Sequence, residues 1–192
     1  MWNDELLAIY DCRERHKFYE FAVDIDLDEI LVTKTVEINA LKTLLTDLFR
    51  ENKIAVLSFY VNLHFTSGKS KNATHPMLLG RYQDATQTVD DRVKNIYMPS
   101  RVDAGKGMIH KLYPLQGFSR EYIDPSRATL HHFRECKTTT PFSVLAYVNG
   151  TIERISITCD SFKKSNSTAI KQLSSVNSIP NNMSKVFKAL GL

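Results

Sequence analysis

Between Tyr19 and Asp28 the chain alternates, residue by residue, between apolar and acidic side chains, and no other feature constrains its fold as tightly. Tyr19, Phe21, Val23, Ile25 and Leu27 stand against Glu20, Asp24, Asp26 and Asp28, with Ala22 the neutral member of the second set. Period two sends successive side chains to opposite faces of a strand. The pattern therefore predicts a strand with an apolar face on a core and an acidic face turned away from it. Neighbouring carboxylates on that face would lie roughly 6.5–7 Å apart. That spacing suits a pair of divalent ions about 3.5–4 Å apart, the clamp used in phosphoryl and nucleotidyl transfer. Oxygen ligands select Mg²⁺ or Mn²⁺, which are the cofactors this face predicts. The competing reading is a solvated face that keeps an exposed sheet soluble. A calcium-binding EF-hand loop is excluded, because Glu29 stands where the loop needs glycine and Thr35 where it needs glutamate.

The period changes after Glu37. Ile38, Leu41, Leu44, Leu45, Leu48 and Phe49 recur at three and four, which predicts an amphipathic helix over 37–52. The next twelve residues, Ile54–Phe65, are β-branched and aromatic and predict a long strand. Strand, helix and strand at this spacing suggest a split β-α-β unit. A short helix is expected over 5–18, a loop over 66–74, a short strand at 86–89, a turn at 101–107, and a helix opened by Pro125 through Leu130 and Phe133. Two alternating runs, 142–148 and 151–158, flank Asn149-Gly150 and predict a hairpin. Beyond Ser165 two helical segments broken at Pro180 predict a C-terminal αα-hairpin. The expected architecture is α+β with a mixed or antiparallel sheet, a core domain over 1–164 and the hairpin over 165–192.

Charge and cysteine usage bear on the compartment and the partners. Residues 1–51 hold 6 Lys/Arg and 12 Asp/Glu, a balance of −6, whereas the remainder holds 19 and 9, a balance of +10. An acidic patch beside a basic body suits a metal-using enzyme that acts on a polyanion. Cys12, Cys136 and Cys159 are odd in number and far apart, so the spacing encodes neither a disulfide framework nor a zinc knuckle. No apolar run approaches the roughly 20 residues of a spanning helix, and the start lacks the pattern of a secretory signal. These features predict a cytoplasmic protein, or a nuclear one in a eukaryote, with no membrane association. The Asn-x-Ser/Thr triplets at Asn72, Asn149, Asn166 and Asn182 are then chance.

The run Phe21-Ala-Val-Asp-Ile-Asp-Leu-Asp resembles the first motif of the archaeo-eukaryotic primase (primase-polymerase) superfamily, in which an apolar strand delivers Asp-x-Asp to the metals. The resemblance extends over about residues 19–106, through the helix, the strand, Ser67-Gly68-Lys69 and His75. It implies that Asp24 and Asp26 are catalytic metal ligands, joined by Asp90 or, alternatively, Asp103. It implies too that His75 meets the triphosphate of an incoming nucleotide. Ser67, Lys69, Arg92, Lys94, Arg101 and Lys106 would then line the nucleotide and nucleic-acid path. On this reading the protein carries out metal-dependent nucleotidyl transfer, with nucleic acid and a nucleoside triphosphate as partners. The alternative is a non-catalytic nucleic-acid-binding or protein-binding replication or regulatory factor.

Other motifs carry less. Leu63-His64-Phe65 lacks the second histidine that a replication-initiator nuclease strand needs, so His64 reads as a packed or surface residue. His131 and His132 read as structural or substrate-facing. The C-terminal hairpin, with Lys185 and Lys188 outward on its second helix, would suit a DNA groove. No nucleotide-binding P-loop, dinucleotide fingerprint, nucleophile elbow, zinc-protease or kinase signature is present.

Overall fold

A computed structural model describes residues 2–159 apart from 36–38, 52, 68–69, 71–72, 83, 137–141 and 149–150. The expected C-terminal hairpin, with Lys185 and Lys188, lies outside the described residues, as does Lys69. The protein is α+β: a mixed, mostly antiparallel sheet with two helices of more than ten residues.

The sheet grows around one strand. β3 (Ile54–Phe65) is buried along its whole length, as expected of a continuous β-branched and aromatic run flanked on both edges. β4 (Val89–Tyr97) pairs antiparallel on one edge. On the other edge lie β5 (Ser119–Ile123) and β6 (Ala128–Arg134), both parallel to β3 and set end to end along it. β2 (Glu29–Thr33) closes that side antiparallel to β6. β7 (Phe142–Val148) and β8 (Thr151–Ile157) form the antiparallel pair that the alternating runs predict, and β7 continues from β4 through Val89 and Ala146.

α2 (Ala40–Glu51) follows the predicted stripe. Its Leu44, Leu45 and Phe49 are buried with Leu57, Phe59, Val61, Leu63 and Phe65, the odd-numbered side of β3. Arg101, in a 3₁₀ turn (Pro99–Arg101), donates Nη1 to the carbonyls of Phe49 at 3.2 Å and Ile54 at 2.7 Å, tying the end of α2 to the start of β3. Beyond Val56 the even-numbered side of β3 carries polar groups that find partners. Ser58 donates to Asn95 at 2.7 Å, and Asn62 donates to the carbonyl of Thr86 and the hydroxyl of Thr88. α2 links β2 with β3, but β6 stands between those strands and they run in opposite senses.

Two expectations fail on tertiary grounds. The residues after Pro125 make a turn, in which Ser126 N–H and Arg127 N–H bond to Asp124, and then the strand β6. Leu130 and Phe133 sit three apart as on a helix, yet both edges of this segment are paired, and ladder bonds override the local pattern. The alternating run from Tyr19 to Leu27 is also no long strand. Only Ala22–Val23 pairs, as β1 against β4, after the helix α1 (Trp2–Arg15). Residues 24–28 then leave the β4 edge and cross to the β6 edge, where Glu29 opens β2. Most apolar members of the run face out: Tyr19, Val23 and Ile25 are exposed and Leu27 fully so, while Phe21 packs on Phe49 with ring centroids 5.1 Å apart.

Candidate functional site

The crossing is held by cations delivered from the frame. Lys94 shares a face of the sheet with its partner Phe59, and His132 shares it with Leu63. Both belong to the side that α2 covers lower down, and both meet the acidic segment where the apolar core ends. The Lys94 ammonium lies 2.8 Å from Asp26 and 3.4 Å from Glu29. Lys94 and Glu29 belong to strands three spacings apart, roughly 14 Å in a flat sheet. Their contact therefore requires a coiled sheet and two long side chains converging on the crossing.

His132 stands between two carboxylates, with Nε2 3.4 Å from Asp28 and Nδ1 3.5 Å from Glu29. The second Glu29 oxygen accepts the Asp26 N–H at 3.0 Å, closing the turn that reverses the chain into β2. Phe133 N–H donates to the Asp28 carbonyl at 2.9 Å, which fixes the far end of the crossing to β6. The near end is fixed by α1. Arg13, buried, reaches Asp24 at 2.6 Å and the Met108 carbonyl at 3.3 Å. The Tyr97 hydroxyl donates to the other Asp24 oxygen at 3.3 Å. Burial, and then the Asp24 carboxylate, push the Tyr97 phenol up to about 12, so it remains a donor at neutral pH.

The four acids are thus unequal. Glu29 is wholly buried and Asp24 keeps 18% of its side chain exposed, each occupied by fixed partners. Asp26 and Asp28 keep 54% and 49% of their side chains exposed. Two carboxylates are presented to solvent from a segment whose backbone is pinned at both ends. Beside them, Glu29 Oε1 and His132 Nδ1 are buried without a hydrogen-bond partner.

With this geometry in view, the comparison with protein families decides the class. The model of glycosyltransferase family 92 matches residues 1–187. The chain belongs to glycosyltransferase family 92. No curated protein and no solved structure matches it.

Membership in family 92 corrects the primase-polymerase resemblance and the readings drawn from it. Nucleotidyl transfer, nucleic-acid binding and a replication role give way to sugar transfer, with a sugar donor and an acceptor as partners. Asp-x-Asp after an apolar stretch is too short a motif to separate two families. The alternative of a non-catalytic nucleic-acid or regulatory factor has no support either.

The remaining predicted residues scatter. Asp90 lies in β4 near Tyr60, not in contact with the crossing. Asp103 pairs with Lys106 at 3.0 Å in a surface turn. Among the described residues no group of three or more His, Cys, Asp or Glu side chains is arranged to hold a metal ion, so Asp24, Asp26 and Asp90 do not make a ready-formed site. Ser67 is in an exposed turn, and His75 folds back on Met77, accepting its N–H at 3.1 Å. Arg101 serves the backbone carbonyls named above. Arg92 and Lys94 share β4 with the site. Sequence reading passed over Arg13, Tyr97, Glu29 and His132 as site residues. Asp28-Glu29 and the paired histidines were visible, but Arg13 carries no local signal, since only the fold brings it to Asp24.

The cysteines also differ from expectation. Cys136 and Cys159 form a disulfide with a Cα–Cα distance of 5.6 Å, joining the end of β6 to the end of β8. Twenty-three residues separate them, too far for a spacing rule to detect. Cys12 is free and exposed. No helix among the described residues is long and apolar enough to cross a membrane.

Proposed function

We propose that the chain transfers a glycosyl group from a phosphate-activated sugar to an acceptor hydroxyl, and that the reaction takes place at the acidic crossing. One observation carries the assignment of the site: Asp26 and Asp28 are half exposed on a segment pinned by Arg13, Lys94, Glu29 and the β6 backbone. Preorganised charge of this kind is what a transition state with developing charge requires. Family membership supplies the reaction class.

Two carboxylates facing a sugar phosphate repel it unless a cation intervenes. Asp26 and Asp28 present half-exposed oxygens, the donor type a hard divalent ion takes, though no third protein ligand among the described residues is in place beside them. These residues would hold Mg²⁺ or Mn²⁺, which when bound neutralises the departing phosphate. Lys94 holds Asp26 and Glu29 in place. Arg13 and Tyr97 fix Asp24, so the first residue of the crossing cannot swing. We assign Asp24 a positioning role and Asp26 and Asp28 the substrate-facing one.

The disulfide supports an oxidising compartment, where such bonds persist, in place of the cytoplasm. Assay of the purified chain against a panel of nucleotide sugars with mono- and oligosaccharide acceptors tests the reading. Expected is turnover of at least one donor that requires Mg²⁺ or Mn²⁺. Inertness toward every sugar nucleotide, alongside primer synthesis from nucleoside triphosphates, would overturn it.

A further inference from the structure

We propose that Tyr60, Tyr122 and Tyr147 form a shelf that binds the saccharide chain of the acceptor, on the face of the sheet opposite the crossing; the class of ligand rests on the glycosyl-transfer reading above. Lys94, which serves the crossing, shares the face of its partner Phe59. Tyr60 is the next residue of β3 and points the other way. Tyr122 shares that second face with its neighbour Ser58, its parallel partner on β3. Tyr147 follows Ala146, which lies in the apolar core with Val89, and so turns away from that core.

The three rings meet although their strands are not all neighbours. β4 stands between β3 and β7, a separation of roughly 9–10 Å for two strand spacings. A wide bulge lies in that gap. Phe59 pairs with Lys94 and Val61 with Val89, so four residues of β4, Asp90 to Val93, stand opposite Tyr60 alone. The Tyr60 ring centroid lies 5.0 Å from that of Tyr122 and 5.6 Å from that of Tyr147, at interplanar angles of 36° and 37°. Tyr147 is fixed by its N–H on the Thr88 carbonyl at 2.7 Å and by its hydroxyl, which donates to Asp124 at 3.4 Å. Tyr122 is 45% exposed, and Ile152, paired with Tyr147, is 58% exposed, so the shelf reaches solvent at both ends. Tyr60 at its centre is 8% exposed. Ser58 and Asn62, on the same side of β3, are both hydrogen-bonded, but among the described residues the Tyr60 hydroxyl has no partner. A buried tyrosine ordinarily gives its hydroxyl to one.

Rings that pack on one another leave no gap to enclose a cation, so the tyrosines make a surface and not a cage. A pyranose fits such a surface. Its C–H face lies on an aromatic ring, and the hydroxyls at its rim reach polar groups. Those groups are the Tyr60 hydroxyl, Asp124, and Asp90 in the bulge opposite Tyr60. Aromatic walls with a few convergent polar groups are the general make-up of a small-ligand site.

Screening the full chain on an array of neutral oligosaccharides, then titrating the tightest binder by calorimetry without divalent metal, tests the shelf. Tyr122→Ala and Tyr147→Ala should bind it roughly threefold to tenfold more weakly, the scale of one aromatic contact. Tyr60→Phe keeps the ring and removes only the unpaired donor. It should melt no lower than wild type and still lose a similar factor. Undiminished binding in all three variants overturns the shelf and leaves glycosyl transfer standing. Tetramethylammonium bound in place of every saccharide overturns it in favour of a cation site. A wild-type protein that binds no oligosaccharide yet turns over a nucleotide sugar loses the shelf alone, and one that does neither loses the reading as well.

Discussion

Lys94 illustrates how a residue's role depends on its surroundings. In the sequence it is one of several basic residues after an apolar run, and it reads as a surface contact for a polyanion. In the fold its side chain is 2% exposed and serves Asp26 and Glu29. Removing one partner of a buried pair leaves the other charge uncompensated, at a cost of about 3–5 kcal/mol. Lys94→Met should therefore lose about that much stability in urea denaturation, because the Glu29 side chain has no exposed surface through which water could replace the lysine. A loss below about 1 kcal/mol, the scale of an exposed ion pair, would contradict the account. His64 and His131 are the other buried titratable pair. His64 Nδ1–H donates to the Tyr82 carbonyl at 2.7 Å, so its Nε2 must accept from His131 Nδ1–H at 2.8 Å. Thr129 then donates to His131 Nε2. Every ring nitrogen is satisfied with both rings neutral, and protonating both would set two N–H groups against each other. Burial lowers His64 to about 4 and His131, beside it, to about 3. Both folded values lie below the unfolded value near 6.5, so the unfolded chain binds more protons on acidification. The stability this pair contributes is complete above pH 6.5 and is lost as pH falls through 4, by roughly 3–6 kcal/mol. NMR titration should find both imidazoles neutral at pH 5.5, and a half-protonation point near 6.5 for either would refute the assignment.

Among the elements, legibility tracked how far each one's pattern was decided locally. α2 and β3 could be read because a stripe at three and four and a twelve-residue β-branched run both carry their environment in their own periodicity. The β7–β8 pair could be read from its Asn-Gly link. β6 could not: Ala-Thr-Leu-His-His-Phe-Arg has no clean period, and its strand character comes from β2 and β3 on its two edges. The acidic crossing misled for a different reason. Its alternation is real, but Arg13, Lys94 and Glu29 bind its polar groups, so Asp24 turns toward the protein, Asp26 and Asp28 stay half exposed, and Val23, Ile25 and Leu27 turn toward solvent. Asp24 and Asp26 were legible as neighbouring charges, whereas the partners they pair with could be found only by knowing which strands neighbour which.

For the molecule as a whole, the disulfide ties the two ends of the sheet's later strands to one another, close to where His132 and Arg134 meet the crossing. A bond closing a loop of this length contributes about 2–4 kcal/mol. Peptide mapping without reduction should recover Cys136 and Cys159 in one linked fragment, and Cys136→Ser/Cys159→Ser should lower the melting temperature. Two free thiols in protein secreted from cells would contradict both the bond and the proposed compartment. The family could not be read from the sequence because a short acidic motif does not specify one family, and it took a match across nearly the full chain to decide. The central claim is that sugar transfer occurs at the crossing through the two solvent-facing carboxylates. Its most direct test is the turnover of Asp26→Asn and Asp28→Asn against wild type, once a donor and acceptor are in hand. Because both side chains are half exposed, each variant should fold within about 1 kcal/mol of wild type while losing roughly 100-fold or more in kcat/KM, the scale of one removed transition-state contact. Folded variants with undiminished turnover would place the chemistry elsewhere on the protein.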